Sequence, residues 1–182
     1  HHSLYYRMPG IKIVSPMSPL EYKNIYSDFM KNNDVMYVSE HRGSYNNSLE
    51  LKNIYLKNSD ITIFAISITR FAALEASKIL KEKYNIKISL INVIWLKPQK
   101  FTNKDILYLK KSKYGGLILD DDYEDGISKS IANNLSLKTN KKIYTLGLEN
   151  KSAGFSKNTD NLPPDAQKII KKVKKIIHEN KK

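Results

Sequence analysis

Short apolar runs alternate along the chain with stretches in which apolar residues recur at a helical period. The first pattern predicts β-strands and the second predicts amphipathic helices. The predicted strands cover residues 11–16, 35–41, 61–67, 86–96, 116–120 and 142–148. The predicted helices cover residues 18–34, 70–85, 102–113, 125–137 and 164–180. This alternation predicts an α/β fold with a mostly parallel sheet and helices on both faces.

The first predicted helix, at 18–34, has clear signals at its amino end. Ser18 is placed as the N-cap, Pro19 occupies the first helical position, and Glu21 completes a capping box three residues after the cap. Its predicted inward-facing side chains are Leu20, Ile25, Phe29 and Met30.

The last predicted helix is both amphipathic and rich in lysine. Its apolar stripe consists of Ile169, Ile170, Val173, Ile176 and Ile177. A basic amphipathic helix is also typical of membrane-surface or calmodulin-binding segments. Because the rest of the chain forms a complete α/β alternation, we expect this stripe to dock on the sheet.

The predicted elements divide the chain into unequal parts. Residues 60–182 contain enough strand–helix units to close a core of their own. Residues 1–41 contain only strand, helix and strand, which is too little for an independent domain. The polar segment 42–59 has no apolar period and is predicted to be a linker. We therefore expect one intact domain preceded by the remnant of another.

Composition excludes several classes of protein. The chain has 182 residues and no cysteine, which excludes disulfides, cysteine–zinc sites, iron–sulfur clusters and thiol nucleophiles. Its net charge is +13, but lysines are scattered and the three arginines are Arg7, Arg42 and Arg70, so we expect no nucleic-acid partner. No apolar run is long enough to span a bilayer, and no signal-peptide pattern is present. We expect no membrane association and a location in the cytoplasm or an organelle matrix.

A series of motifs then carries a family resemblance. In chain order they are HS…MPGIKIVSPMSPLEYK, DVMYVSEH, DITIFAISITRFAALEASKILKEKYNIKISLINVIWLKP, GGLILDDDYEDGISKSIANNL and NLPPDAQKIIKKVKKI. Together they resemble the C-terminal half of a 2-oxoacid dehydrogenase β subunit, such as that of the pyruvate or branched-chain enzyme, within the transketolase-like thiamine-diphosphate enzymes. By this resemblance, residues 1–41 are the remnant of a pyrimidine-binding domain and residues 60–182 are a transketolase-like C-terminal domain.

The resemblance implies an activity for the parent enzyme, which would decarboxylate a 2-oxoacid and transfer the acyl group to a lipoyl carrier. It implies thiamine diphosphate and Mg²⁺ in the full enzyme, with neither bound to this chain, which we expect to be inactive alone. The implied partners are an α subunit or its equivalent domain, a second copy joined through the C-terminal domain, and a lipoyl acyltransferase core. Two alternatives stay open: a transketolase or deoxyxylulose-phosphate synthase acting on sugar phosphates, and a stand-alone assembly domain without catalysis.

His2 is the candidate catalytic residue. By resemblance it is the histidine that lies over the thiazolium ring and transfers protons, a task suited to an imidazole with a pKa near neutrality. The alternative is that His1 and His2 belong to a purification tag. We expect His2 to be non-functional in this chain alone, because the groups that would orient it are expected to lie elsewhere.

Arg70 is the candidate substrate or anion ligand. It follows a predicted strand-to-helix turn where Ser67 or Thr69 could cap the helix and backbone amides could hold an anion.

No metal site is predicted from the sequence. The four histidines lack a ligand spacing, and DDDYEDG at 120–126 lacks the arrangement of a calcium loop. We interpret that acidic stretch as a solvated loop or a patch for a basic partner.

Overall fold

The structure is a computed structural model that describes residues 2–154, 156 and 160–181; His1 lies outside the described residues. Its strands are β1 (Ile11–Val14), β2 (Val35–Val38), β3 (Ile61–Ile66), β4 (Ile88–Val93), β5 (Trp95–Lys97), β6 (Gly116–Tyr123) and β7 (Ile143–Leu148). Its α-helices are α1 (His2–Tyr6), α2 (Pro19–Phe29), α3 (Thr69–Tyr84), α4 (Asn103–Lys111), α5 (Ile127–Thr139) and α6 (Ala166–Glu179).

Four strands form the central sheet of the molecule. Their order is β4-β3-β6-β7, and every neighbouring pair is parallel. Parallel neighbours need crossover connections, and helices α3 and α5 supply them between β3 and β4 and between β6 and β7. The predicted α/β class is therefore confirmed.

Both faces of this sheet are covered, as the apolar strand pattern predicts. In β3, Ile61, Ile63 and Ala65 join one buried cluster with residues of α3 and α6. The alternate side chains Phe64 and Ile66 join a second buried cluster with residues of α4 and α5. Successive side chains of a strand point to opposite faces, so a continuous apolar run is what a sheet covered on both sides requires.

Helix α6 docks on the molecule through its apolar stripe. The buried stripe comprises Ile169, Ile170, Val173, Ile176 and Ile177. These residues belong to the cluster that contains β3 and α3, which confirms the predicted docking. In the described part of the chain, no helix has the length and apolar character needed to cross a membrane.

A second, three-stranded sheet joins the amino-terminal segment to the later chain. Its order is β2-β1-β5, with β1 and β2 parallel and β1 and β5 antiparallel. The single strand predicted at 86–96 is therefore wrong, because the chain breaks near Ile94 and enters a different sheet. At that break, the Ile94 carbonyl accepts a hydrogen bond from the Ser15 amide. The amino-terminal segment thus shares a sheet with residues from the C-terminal part.

Helix α2 differs from its prediction in two respects. Ser18 is the N-cap residue, but its hydroxyl donates to Glu50 and makes no cap hydrogen bond, so the predicted capping box is absent. Of the four side chains expected to face inward, only Ile25 is buried. Leu20, Phe29 and Met30 are exposed, Met30 by 80%. This helix therefore presents apolar side chains to the surface.

The segment at 42–59, predicted to be a linker, contains local structure. Arg42–Ser44 forms a 3₁₀ helix, and Ile54 forms an antiparallel bridge with Leu90 of β4 through two backbone hydrogen bonds. The latter part of this segment therefore lies against the edge of the central sheet. The three-part division at 1–41, 42–59 and 60–182 stays a prediction.

Candidate functional site

The candidate site lies where α1 meets the carboxyl end of β6. His2, the first residue of α1, is only 1% exposed. Its Nε2 is 2.8 Å from Oδ1 of Asp120, and its Nδ1 is 3.2 Å from the hydroxyl of Ser39, just after β2. The expectation that the orienting groups would be missing is therefore wrong. Two residues of this chain fix the orientation of the imidazole ring.

The three consecutive aspartates of β6, Asp120, Asp121 and Asp122, line this site. They were expected in a solvated loop, but the strand continues through them to Tyr123, and Asp120 and Asp122 are buried. Asp120 Oδ1 also accepts from the Asp122 amide at 3.1 Å. The Asp122 carboxylate accepts from the backbone amide of Ser3 at 2.9 Å. These carboxylates therefore bind the amino-terminal helix to the central sheet.

Helix α1 is also attached to the start of α5. The Ser3 hydroxyl accepts a hydrogen bond from the Ile127 amide at 3.1 Å, which satisfies one of the unpaired N–H groups of a helix amino terminus. Gly126 makes this close approach possible, because a Cβ atom at that position would lie 2.1 Å from the Ser3 hydroxyl oxygen. Ser3 and His2 together fix α1 over the end of β6.

The third aspartate, Asp121, bonds to the turn that follows β3. Its Oδ2 accepts a 2.6 Å hydrogen bond from the Ser67 hydroxyl. Ser67 has φ +53°, in the left-handed region that side-chain-bearing residues seldom adopt. Such backbone conformations cluster at functional sites when the surroundings hold them in place. Here the buried hydroxyl is held by Asp121, so Ser67 does not cap α3.

Electrostatics favour a protonated His2. Burial lowers the pKa of His2, but the hydrogen bond to Asp120 and the charges of the three aspartates outweigh burial and raise its pKa above the ordinary value. Burial raises the pKa of Asp121 above its ordinary value, against opposing effects of Ser67 and His2. A protonated ring can donate from both nitrogens, which suits an acceptor at Asp120 and a hydroxyl at Ser39.

Arg70, the predicted anion ligand, is engaged by the chain itself. It is 1% exposed, and its Nη1 and Nη2 donate to the two carboxylate oxygens of Glu21 on α2 at 2.7 and 2.6 Å. This is a bidentate pair with favourable geometry. An anion would have to displace that carboxylate, and Thr69 donates to the Ile66 carbonyl rather than capping α3. The structure therefore lends no support to an anion site at Arg70.

The remaining predicted histidines are not part of the site. The His41 ring accepts from the Gly43 amide and caps the short 3₁₀ helix, while His178 lies exposed on α6.

His2, Asp120 and Asp121 form a group of potential metal ligands. Each offers one potential ligand atom, and these atoms lie within 4.8 Å of one another. Sequence spacing missed this group because His2 and Asp120 are 118 residues apart. The run of three aspartates after an apolar strand was the one available signal.

Comparison with known proteins now identifies the family. The model of the family described as "Transketolase, C-terminal domain" matches residues 53–169. The chain belongs to the transketolase C-terminal domain family. It is 26% identical over 132 residues to the acetoin:2,6-dichlorophenolindophenol oxidoreductase subunit beta of Bacillus subtilis (strain 168). That match covers 66% of this chain but 37% of the Bacillus protein.

Two solved structures share the fold. One is described as a split gene transketolase, inactive beta4 tetramer; its TM-score is 0.72 at 19% identity, with 97% of this chain and 60% of that chain covered. The other is a transketolase mutant from Pichia stipitis with a TM-score of 0.72 at 14% identity, covering 99% of this chain and 27% of that chain. The chain thus spans 60% or less of the length of each of these relatives. The transketolase-like C-terminal fold expected from the sequence is confirmed.

The cofactor role that the resemblance gives to His2 stays a prediction. The His2 ring is almost fully buried within this chain. Both of its nitrogens lie within hydrogen-bond distance of groups in the chain itself, Ser39 and Asp120. No catalytic step through the cofactor follows from this arrangement. The geometry can instead hold two parts of the chain together and accommodate a proton or a cation among the carboxylates.

Proposed function

We propose that this chain is the C-terminal part of the β subunit of a thiamine-diphosphate-dependent 2-oxoacid dehydrogenase. The parent enzyme would oxidatively decarboxylate its substrate and transfer the acyl group to a lipoyl carrier. The observation that carries this proposal is the family match over residues 53–169, together with the similarity to a curated β subunit. Thiamine diphosphate and Mg²⁺ would be held mainly by residues outside this chain.

Within that enzyme, we propose that this chain serves subunit assembly. Its partners would be an α subunit or equivalent domain, a second copy of itself, and a lipoyl acyltransferase core. Exposed apolar side chains at the end of α2, Phe29 in the helix and Met30 at its C-cap, support contacts with a partner other than the second copy. The net charge of +13 disfavours the docking of a lipoyl acyltransferase core. The domains through which such cores dock are usually basic, so the two surfaces would repel each other.

The sugar-phosphate alternative receives less support from the side chains. A phosphate-bearing substrate favours arginines that can form bidentate contacts. Arg70 is the only arginine in residues 60–182, and its guanidinium is paired with Glu21. The dehydrogenase branch is therefore the better proposal.

Activity in a chimeric enzyme tests the proposed function. We would join this chain to the part of the Bacillus subtilis β subunit that precedes its matched region and co-express the product with the companion subunit. We expect reduction of dichlorophenolindophenol that requires both thiamine diphosphate and acetoin or a 2-oxoacid. We expect no turnover with this chain alone. An assembled chimera without thiamine-diphosphate-dependent activity, or turnover by the chain alone, would contradict the proposal.

Self-association tests the assembly role. By sedimentation equilibrium we expect the mass to rise with concentration toward twice the chain mass of 21.0 kDa. Leu137 on α5 is 78% exposed, the highest value among large apolar residues in the described part of 60–182. We expect Leu137→Ser to weaken the dimer, because exposed apolar surface drives association.

Met30 provides the matched control for that measurement. It is an apolar side chain with a similar exposure of 80%, but it is the C-cap residue of α2, outside the predicted C-terminal domain. Met30→Ser should leave the dimer unchanged. A mass of one chain at every concentration would exclude the proposed homodimer. Equal weakening by both substitutions would show that the effect of Leu137→Ser is not specific to a contact at α5, which would contradict the proposed interface.

A further inference from the structure

The group formed by His2, Asp120 and Asp121 has a geometry suited to a metal ion. Each residue offers one ligand atom, and the three atoms lie within 4.8 Å of one another. Two ligands about 2.1 Å from a metal at right angles are about 3.0 Å apart, whereas tetrahedral ligands are about 3.4 Å apart. The 2.8 Å between His2 Nε2 and Asp120 Oδ1 is closer to the octahedral spacing.

Two carboxylate oxygens in this group lack partners. Asp120 is completely buried, and neither its Oδ2 nor Oδ1 of Asp121 has a hydrogen-bond partner among the described residues. Buried polar atoms are nearly always satisfied, and a buried carboxylate without compensation is costly. A cation bound between the two aspartates would satisfy both oxygens.

The surrounding hydrogen bonds also resemble those that support metal ligands. A histidine ligand is usually oriented by a hydrogen bond at its second ring nitrogen, and ligating carboxylates are themselves hydrogen-bonded. Here Nδ1 of His2 lies 3.2 Å from the Ser39 hydroxyl, and Asp121 Oδ2 accepts from Ser67. With these contacts made, Nε2 of His2 faces the Asp120 carboxylate, and Oδ1 of Asp121 has no hydrogen-bond partner among the described residues.

We propose that His2, Asp120 and Asp121 bind one divalent cation with an octahedral preference, for which Mn²⁺ is the probe. The ion would replace the proton between His2 Nε2 and Asp120, and water would complete its coordination. Imidazole nitrogen favours first-row transition metals, while paired carboxylates and octahedral geometry favour Mn²⁺. The proposal is independent of the proposed enzymatic function and concerns a site formed entirely by this chain.

Mn²⁺ titration followed by electron paramagnetic resonance tests the site, because bound Mn²⁺ loses the sharp signal of the free ion. We expect binding of one Mn²⁺ per chain to the metal-free protein. Asp121→Asn should weaken that binding at least tenfold, since even residues that only support ligands contribute about 10–100-fold to affinity. Asp120→Asn should have a comparable effect where the variant remains folded by circular dichroism.

The control is Asp125→Asn, which removes the same charge from the same stretch. Asp125 is exposed, pairs with Lys129, and lies outside the three-residue group. It should leave Mn²⁺ affinity unchanged. Absence of binding at millimolar Mn²⁺, or equal weakening by Asp125→Asn and Asp121→Asn, would overturn the proposal and show that the free oxygens are satisfied in another way.

Discussion

Glu21→Ala is expected to lower the free energy of unfolding by about 3–5 kcal/mol. The substitution leaves the guanidinium of Arg70 buried without its counter-charge, and breaking a buried ion pair from one side has a cost of this size. Arg70 is 1% exposed and donates two hydrogen bonds to Glu21, which also accepts from the Met17 amide. Equilibrium unfolding in urea, followed by the fluorescence of the single tryptophan, Trp95, measures the loss.

Asp34→Ala is the matched control for the Glu21 experiment. Asp34 pairs with Lys12 at 2.6 Å, but its side chain is 55% exposed, and exposed pairs contribute about 0–1 kcal/mol. Replacing Glu21 and Arg70 together with Met and Leu should restore most of the lost stability, because no buried charge then stays unpaired. Equal losses for Glu21→Ala and Asp34→Ala would contradict the buried-pair explanation.

His2→Ala is expected to have the second largest effect, a loss of about 3 kcal/mol. It removes the group that neutralises the buried Asp120 carboxylate, whose other oxygen has no hydrogen-bond partner within the described ranges of the chain. Unfolding of the metal-free chain in urea measures the change. We expect helix α1 to detach from the sheet. The amides of Ser3 and Ile127, which donate hydrogen bonds to Asp122 and to the Ser3 hydroxyl when α1 is docked, should then lose protection from hydrogen exchange.

His178→Ala, on the exposed face of α6, is the control for His2 and should change stability by less than about 0.5 kcal/mol. A His2→Ala variant as stable as this control would show that the His2–Asp120 contact contributes little. Conversely, protection lost at Ser3 and Ile127 in both variants would point to general loosening of the chain.

The local pattern of the sequence predicted the central sheet and its covering well. The nearly continuous apolar run of β3 indicated a strand buried on both faces, and the stripe from Ile169 to Ile177 indicated a docked helix. These features depend on residues close together in the chain, where periodicity is informative. The fold class and the approximate positions of helices α2 to α6 followed from them, whereas the short helix α1 was not predicted.

Contacts between distant residues decided the features that the sequence did not predict. Glu21 was expected to close a capping box, but Arg70, 49 residues later, binds its carboxylate. The acidic run was expected in water, but His2, 118 residues earlier, packs against it. Local capping and loop rules cannot anticipate a partner that only the tertiary fold brings into place. The candidate site consists largely of such pairs, so sequence identified His2 without identifying its surroundings.

The same limit applies to the junction between the two sheets. The stretch 86–96 contains no glycine or proline to mark a break, so the sequence gives no sign that β4 and β5 belong to different sheets. Only the pairing of β5 with β1 reveals the change. As a result, residues 1–41 are connected to the C-terminal part by a shared sheet and by two buried charge pairs. We therefore expect these two parts of the chain to unfold as one cooperative unit.

Native-state hydrogen exchange measures that cooperativity most directly. Amides of β1 in the amino-terminal segment should open with the same free energy as amides of β3 in the central sheet, and both values should equal the global free energy of unfolding. Exchange of Ile13 and Val14 at a clearly lower free energy than Ile63 and Phe64 would contradict the account, since it would show that the amino-terminal segment opens while the central sheet stays folded.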